Sequence, residues 1–251
     1  MDSHRKLAWK ALGVALALAL PNTMANAKNI DPAHGLGPAS DAASARDSSA
    51  ESSLPGGRAG AAIAMRLAAW AADTDDNNGL PFLIVDKLDA RVFAFNARGD
   101  VLGSAPALLG LAHGDEAPPG IGSLKLSQMS ADQRTTPAGR FMAKFGAVPG
   151  HGEVLWVDFR DGIALHPVMS VNLGEHRLER IKSPDPEQHR ISYGCINVPA
   201  PFYQDVVLSA LSGRAAVVYV LPDTKPMEGV FPEFAATIRG ERGGDQLLAG
   251  E

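Results

Sequence analysis

The sequence predicts an α+β protein made mainly of β-strands, and three observations lead to that class. Between residues 80 and 222, short runs rich in Val, Ile, Leu and Phe are separated by turn residues. The chain contains 26 glycines and 18 prolines, which suit a loop-rich β protein better than a helical bundle. Helical spacing of apolar residues is confined to residues 61–72 and 200–211. We therefore expect mainly antiparallel sheet with one or two short helices.

The predicted strands either alternate apolar and polar residues or form short apolar runs. They are residues 81–87, 91–96, 101–111, 135–142, 154–159, 162–166 and 215–221. The strands at 154–159 and 162–166 form a hairpin over Arg160 and Asp161. Residues 113–122 (HGDEAPPGIG) predict a loop because of their glycines and prolines.

The first 27 residues have the features of an export signal. Basic residues precede a short apolar run at residues 11–20, and the small residues Ala25 and Ala27 indicate a cleavage site. The apolar run is too short to span a bilayer, although an uncleaved anchor is the alternative. No cysteine stands directly after the run, which argues against a lipoprotein anchor. We expect an exported protein of the periplasm or cell envelope.

The segments around the predicted domain at residues 80–222 differ from it in composition. Residues 28–60 have almost no large apolar side chains, so they predict a flexible tether. Residues 61–79 predict a short helix and a connection. Residues 223–251 are polar and rich in glycine, and we expect an extended or disordered C-terminal tail.

Charge and motif content narrow the classes of partner. A net charge of -5 gives no basic surface for nucleic acid. The sequence has no cluster with metal-ligand spacing and no phosphate-binding glycine loop. We therefore expect no metal, no cofactor and no nucleic-acid partner, while the oligomeric state stays open.

The single cysteine, Cys195, is the candidate nucleophile. An exported protein with one cysteine has no disulfide partner within the chain, so Cys195 is either buried or retained for its reactivity. It follows Gly194, and a cysteine behind a glycine in a tight turn can present its sulfur beside backbone N–H groups. The alternative is a small buried apolar residue.

A thiol nucleophile needs a base, and histidines upstream of Cys195 are the candidates. His166 ends an apolar strand, a rigid position from which a side chain can be aimed. His176 lies in a polar insert, residues 172–188, and His189 directly follows it, so neither has an apolar frame. We choose His166 as the base, with His176 as the alternative.

Three motifs occur in order along the predicted domain: residues 136–141 (TPAGRF), 165–166 (LH) and 192–197 (SYGCIN). Together they resemble the ordered motifs of the L,D-transpeptidase (YkuD) catalytic domain. The resemblance covers residues 80–222 and implies a YkuD-like β-sandwich.

The chain departs from the family's pattern at several points. Tyr193 stands where the family usually has a histidine, and Pro167 stands where a glycine is common. The interval from His166 to Cys195 is longer than is usual in the family, whereas His176 lies 19 residues before Cys195 and fits the usual spacing better. These departures put substrate preference and rate in question more than the identity of the nucleophile.

The resemblance implies an acyltransferase that acts on peptidoglycan stem peptides. Cys195 would attack the carbonyl between a diamino acid and D-Ala, and His166 would pass the thiol proton to the departing D-Ala. The backbone carbonyl of Pro167 would orient the His166 ring. The N–H groups of Gly194 and Cys195 would stabilise the oxyanion.

The resemblance also suggests supporting residues. Ser192, Tyr193 and Asn197 would support the nucleophile turn, Tyr193 with its hydroxyl. Arg190 and Arg180 are candidates to hold a stem-peptide carboxylate, with solvated surface charges as the alternative.

Several functions remain compatible with the residues. The acyl group could pass to an amine, giving a cross-link or a protein attachment, or to water, giving a carboxypeptidase or another cysteine hydrolase. A catalytically inactive cell-wall binding module is a further alternative, suggested by Tyr193, and a structural β-domain with a buried cysteine is another. We expect peptidoglycan stem peptides as the partner and no membrane association beyond the signal peptide.

Overall fold

The computed structural model describes residues 58–148, 152–170 and 172–248. The predicted signal peptide and the predicted tether up to residue 57 lie outside the described residues. Among the described helices, none combines the length and apolar character that a membrane span requires.

The structure is α+β and mainly β, which confirms the predicted class. Its strands are β1 (Phe82–Asp86), β2 (Arg91–Phe95), β3 (Val101–Pro106), β4 (Leu109–Gly110), β5 (Gly139–Val148), β6 (Gly152–Asp158), β7 (Ile163–Pro167), β8 (Arg190–Ser192), β9 (Ile196–Val198) and β10 (Ala216–Val220). Eight of them form one mixed sheet in the order β3-β2-β1-β10-β5-β6-β7-β9. The pairs β1–β10 and β7–β9 are parallel, and β4 pairs with β8 in a separate two-stranded ladder.

Strands β1 and β10 are buried at every position because both faces of this part of the sheet are covered. Leu83 and Val85 of β1 belong to one hydrophobic core, here core 1. Phe82 and Ile84 of the same strand belong to a second one, core 2. Since successive side chains of a strand point to opposite faces, a run such as FLIVD supplies both cores.

Core 1 also receives the helical segment that follows the predicted nucleophile turn. It comprises α3 (Ala200–Phe202), a π-helical stretch (Tyr203–Leu208) and α4 (Ser209–Leu211), and it occupies the predicted residues 200–211. Phe202, Val207 and Leu211 are buried at helical spacing. This packing anchors the chain immediately after β9 and so holds that strand in place. Another short helix, α2, spans Arg177–Arg180 in the polar insert.

Two long helices cover core 2. Helix α1 (Arg58–Asp73) buries Ala64, Leu67 and Ala71 on one face. The C-terminal residues, which we expected to form an extended or disordered tail, instead contain α5 (Met227–Val230) and α6 (Pro232–Leu248). The buried side chains of Phe234 and Ile238, four residues apart, face core 2. The expectation was wrong because this narrow apolar stripe is masked by polar neighbours.

Candidate active site

Strand pairing brings the two candidate catalytic residues together. Strand β7 pairs in parallel with β9, with Leu165 opposite Ile196 and His166 opposite Asn197. Cys195 immediately precedes β9. Residues 29 positions apart in the sequence therefore lie at neighbouring strand positions, and both side chains line the same cleft.

The turn before Cys195 requires glycine. Gly194 has a φ of 120°, and a Cβ at this position would lie 2.7 Å from the carbonyl oxygen of Thr135 and 2.8 Å from Cδ1 of Ile163. Any larger side chain would therefore displace the turn. The hydroxyl of Thr136 donates a hydrogen bond to the Gly194 carbonyl at 2.9 Å, so the TPAGRF motif supports the turn.

The side chain of Ser192 bonds to the backbone of the turn at two positions. Its hydroxyl donates to the carbonyl of Cys195 at 2.6 Å and accepts from the N–H of Gly194 at 3.1 Å. Ser192 therefore contacts both Gly194 and Cys195. The Gly194 N–H, one of the two predicted oxyanion donors, is engaged within the turn in this structure. The N–H of Cys195 makes no hydrogen bond to a described residue.

The Cys195 thiol is partly buried, and its Sγ lies 3.7 Å from the carbonyl oxygen of Gly162. Burial raises the pKa of the thiol, and the N–H of Ala164 and the positive charge of Arg177 oppose that effect only in part. The group is therefore a thiol rather than a thiolate at neutral pH, and it needs a base to become a nucleophile.

Both ring nitrogens of His166 have partners that define its protonation. Nδ1 lies 2.8 Å from the carbonyl oxygen of Pro167, which can only accept, so Nδ1 carries the proton. Nε2 lies 3.0 Å from Nδ2 of Asn197 and accepts from it. The predicted contact between His166 and the Pro167 carbonyl is thus present. Asn197, which lies in β9 after the turn, therefore contacts the candidate base.

Arg177 determines which way the Asn197 amide faces. Nη1 of Arg177 donates to Oδ1 of Asn197 at 2.6 Å, and Nε of Arg177 donates to Glu175. Because a guanidinium only donates, Oδ1 must face Arg177 and the amide nitrogen must face His166. Neither Arg177 nor Glu175 was predicted from the sequence, since their surroundings in the insert resemble a solvated helical turn.

Tyr193 forms part of the cleft wall. The guanidinium carbon of Arg134 lies 4.1 Å from the centre of the Tyr193 ring, a cation–π contact. The Tyr193 hydroxyl makes no hydrogen bond to a described residue. The contact that Tyr193 makes in the cleft wall is therefore made by its ring.

The two arginines predicted to hold a carboxylate do not line the cleft. The Arg190 side chain is only 5% exposed and binds Asp223 at 2.7 Å, so burial removes it from a substrate role. Arg180 donates to the backbone carbonyls of Glu175 and Gln188 and borders a separate surface pocket. Both predictions are corrected in favour of Arg177, which does line the cleft.

The other two histidines considered from the sequence also lie outside the cleft. His176 is exposed, pairs with Glu179 at 2.7 Å and borders the same separate pocket as Arg180. His189 is buried between the carbonyls of Ala107 and Ser183. Of the three histidines weighed from the sequence, His166 alone borders the cleft with Cys195.

The cleft has a volume of about 490 Å³ and two kinds of wall. The apolar wall consists of Leu126, Val148, Val154, Trp156 and Met169. The polar wall consists of His166, Asn172, Glu175, Arg177, Ser192 and Asn197. This size and mixed lining suit a short peptide or a drug-sized molecule. Within the described residues no group of His, Cys, Asp and Glu could hold a metal ion.

None of the protein-family models matches the chain, and neither does any curated protein sequence. Several solved structures are similar to it. An L,D-transpeptidase of Enterococcus faecium is 16% identical over 56% of this chain and 49% of that one, with a TM-score of 0.34. The helical cell shape determining protein Pgp2 of Campylobacter jejuni is 14% identical over 65% of this chain and 57% of that one, with a TM-score of 0.37.

An L,D-transpeptidase of Mycobacterium smegmatis is 16% identical over 56% of this chain and 58% of that one, with a TM-score of 0.31. The part of this chain that matches the Enterococcus faecium enzyme covers about half of that enzyme's length. At these identities and TM-scores the likeness carries no argument about function, which depends on the geometry of the cleft.

Proposed function

We propose that this chain is an exported cysteine L,D-transpeptidase that forms an acyl-enzyme with peptidoglycan stem peptides. One observation carries the proposal: β7 and β9 bring His166 and Cys195 to the same cleft, where the Pro167 carbonyl fixes the proton of His166 on Nδ1. A thiol that burial keeps protonated, in the same cleft as an imidazole with an unprotonated Nε2, is the combination that nucleophilic catalysis requires.

The reaction begins with transfer of the thiol proton of Cys195 to Nε2 of His166. The sulfur then attacks the carbonyl carbon between the diamino acid and D-Ala, and a tetrahedral oxyanion forms. The oxyanion collapses, the bond to D-Ala breaks, and His166 returns the proton to the amine of the departing D-Ala. The thioester that remains on Cys195 passes its acyl group to an amine, or to water.

Stabilisation of the oxyanion is assigned to the Cys195 N–H. That group lies on the attacking residue and is not engaged by another described residue, whereas the Gly194 N–H donates to Ser192. One such donor contributes about 3 kcal/mol to transition-state stabilisation in other enzymes.

Two features of the cleft's lining suit a stem peptide. Its apolar wall, which includes Trp156 and Met169, can lie against the aliphatic part of a diamino acid. Its polar wall brings Glu175 and Arg177 close to His166, so charged groups of the peptide have partners there.

Mass spectrometry after incubation with a carbapenem tests the proposed nucleophile and base. We expect one covalent adduct per chain, none in Cys195→Ala, and adduct formation slowed by about 10²–10⁴-fold in His166→Ala. His176→Ala is the matched control and should form the adduct at the normal rate. An adduct that forms normally without His166, or fails without His176, would show that the base is misassigned. Absence of any adduct on the folded protein would favour a binding module.

The acyl acceptor is tested by muropeptide analysis of cells with and without the gene. A gain of 3→3 cross-linked dimers with the gene supports transfer to an amine. A loss of tripeptide-linked products with the gene supports the hydrolase. The hydrolase and the transpeptidase use the same residues to form the acyl-enzyme and differ only in the acceptor. The two outcomes therefore separate transfer from hydrolysis without changing the assignment of Cys195.

A further inference from the structure

The lone pair that the mechanism requires is already occupied. Nδ1 of His166 carries the proton bound to Pro167, so Nε2 provides the ring's only in-plane lone pair. That lone pair accepts a hydrogen bond from Nδ2 of Asn197 at 3.0 Å. Proton transfer from Cys195 therefore requires His166 to give up its bond with Asn197.

Asn197 cannot relieve this conflict by turning its amide group. Its Oδ1 is held by Nη1 of Arg177 at 2.6 Å, and a reversed amide would place two donors, Nδ2 and Nη1, against each other. Asn197 is fully buried, and its N–H donates to the Leu108 carbonyl at 2.9 Å, so its backbone is also fixed. Arg177 thus keeps Asn197 in the orientation that occupies Nε2.

The guanidinium of Arg177 has one edge that a ligand can use. Nε is held by Glu175, which fixes the side chain, while Nη2 donates to no described residue. The Nη1–Nη2 edge of a guanidinium matches the two oxygens of a carboxylate, and such paired bonds are about twice as strong as bonds between neutral groups. Arg177 lines the cleft, so a ligand can reach it there.

We propose that Arg177 recognises a carboxylate of the substrate, and that this carboxylate displaces Asn197 from Nη1 and so frees Nε2 of His166. Released from Arg177, the Asn197 amide can turn and present Oδ1 to the ring. It then accepts a hydrogen bond from the Nε2–H that forms when His166 takes the thiol proton. The cleft thereby couples recognition of an anionic group to activation of Cys195. This inference rests on the proposed function, and it makes Arg177 and Asn197 positioning residues for the base.

A pair of alkylating reagents tests the recognition step without peptidoglycan. Iodoacetate and iodoacetamide both react when the sulfur of Cys195 displaces iodide, but only iodoacetate carries a carboxylate. The ratio of their second-order rate constants cancels any change in thiol acidity and reports on a cation near the sulfur. We expect Arg177→Met to lower the iodoacetate-to-iodoacetamide ratio about tenfold, the value of one charge-assisted hydrogen bond.

Two further variants control for charge and folding. Lys182→Met removes one exposed positive charge from the same insert and should leave the ratio unchanged. Arg177→Lys retains the charge but lacks the paired donors, so its ratio should lie between those of the wild type and Arg177→Met. An unchanged ratio in Arg177→Met, or an equal fall in Lys182→Met, would overturn the assignment of Arg177.

The release step is tested with Asn197→Ala and the neutral reagent. Without the amide, Nε2 is available from the start, so iodoacetamide should react several-fold faster with Cys195 than in the wild type. A slower reaction in folded Asn197→Ala would overturn the release step, because Asn197 would then assist the base. ¹⁵N NMR of the imidazole adds a direct measurement: the wild-type His166 should be protonated at Nδ1 and unprotonated at Nε2.

His166→Ala separates failure of this inference from failure of the proposed function. If both reagents react equally fast with and without His166, the pairing of Cys195 with His166 is wrong and the proposed function falls with it. If His166→Ala slows both reagents but Arg177→Met leaves their ratio unchanged, only the inference about Arg177 fails.

Discussion

Two clusters of charged and polar side chains in this molecule look alike in the sequence and differ in the structure. The buried ion cluster consists of Lys87, Asp115, Arg190 and Asp223. The cleft network consists of His166, Glu175, Arg177 and Asn197. Each joins segments that are far apart in the chain, and the second lines the cleft that a ligand can enter.

The clusters differ in how deeply their charged side chains are buried. Nζ of Lys87, with no exposed surface, contacts two carboxylates at 2.7 and 3.1 Å and the carbonyls of Gly114 and Thr136. Arg177 instead remains partly exposed in the cleft. The type of residue does not separate structural charges from ligand-binding ones, whereas burial does.

The largest effect on stability is expected for Lys87→Met. This change leaves the carboxylates of Asp115 and Asp223 buried without their shared cation, which costs about 3–5 kcal/mol of unfolding free energy. Urea unfolding of the purified domain measures the change. Arg239→Met, which breaks an exposed ion pair with Glu228, is the matched control and should cost about 1 kcal/mol or less. Similar losses of unfolding free energy in the two variants would contradict the claim that the buried ion cluster stabilises the fold more than an exposed ion pair does.

The next effect concerns the turn that supports the cleft network. Gly194→Ala places a Cβ 2.7 Å from the Thr135 carbonyl, at a φ that L-residues avoid. We expect carbapenem acylation of Cys195 to slow by about 10²-fold, because a shift of the nucleophile by about 1 Å is enough for such a loss. Gly213→Ala, also at positive φ but with no atom within 4 Å of its added Cβ, should acylate normally. Equal acylation rates in the two variants would contradict the role of the turn.

Much of this architecture could be predicted from local patterns. The apolar runs at β1 and β10 and the hairpin of β6 and β7 follow from alternation and turn residues, because a strand's pattern reflects the two faces it covers. The proximity of His166 to Cys195 was predicted from a strand end and a motif. The parallel pairing of β7 with β9 that produces it could not be derived from either segment alone.

The remaining site residues depend on contacts between distant segments. Arg190 was predicted to bind substrate, yet it is buried by Asp223, 33 positions further along the chain. Arg177 was missed because its partner Asn197 lies 20 positions away, and nothing in the insert itself marks it. Local sequence carries information about helices, strands and turns, whereas the partners of a charged side chain are decided by tertiary packing.

Acid should weaken the buried ion cluster by protonating Asp115. Burial would raise the pKa of Asp115, but hydrogen bonds from Lys87, the Thr224 hydroxyl and the N–H groups of Asp223 and Lys225 outweigh it and hold that pKa well below its usual range. A carboxyl with a lowered pKa in the folded state stabilises the protein above its unfolded pKa, near 4, and this contribution is lost as pH falls below that value.

We therefore expect the unfolding free energies of the wild type and Asp115→Asn to converge as the pH falls below about 4. The slope of the difference should approach about 1.4 kcal/mol per pH unit while one proton is taken up on unfolding. Urea unfolding between neutral and acidic pH measures it. A constant difference across that range would mean that Asp115 does not remain ionised in the fold.

The smallest effect is expected at Tyr193, which borders the cleft network where the resembling family has a histidine. Its ring packs beneath Arg134, and its hydroxyl binds no described residue. Tyr193→Phe keeps the ring and the cation–π contact, so carbapenem acylation should change less than about twofold, whereas Tyr193→Ala removes a contact of about 0.5–1 kcal/mol and opens the wall. A large loss in Tyr193→Phe would instead assign the hydroxyl a part in the reaction. Tyr193 would then take part in the activation of Cys195 that we attribute to His166, Asn197 and Arg177.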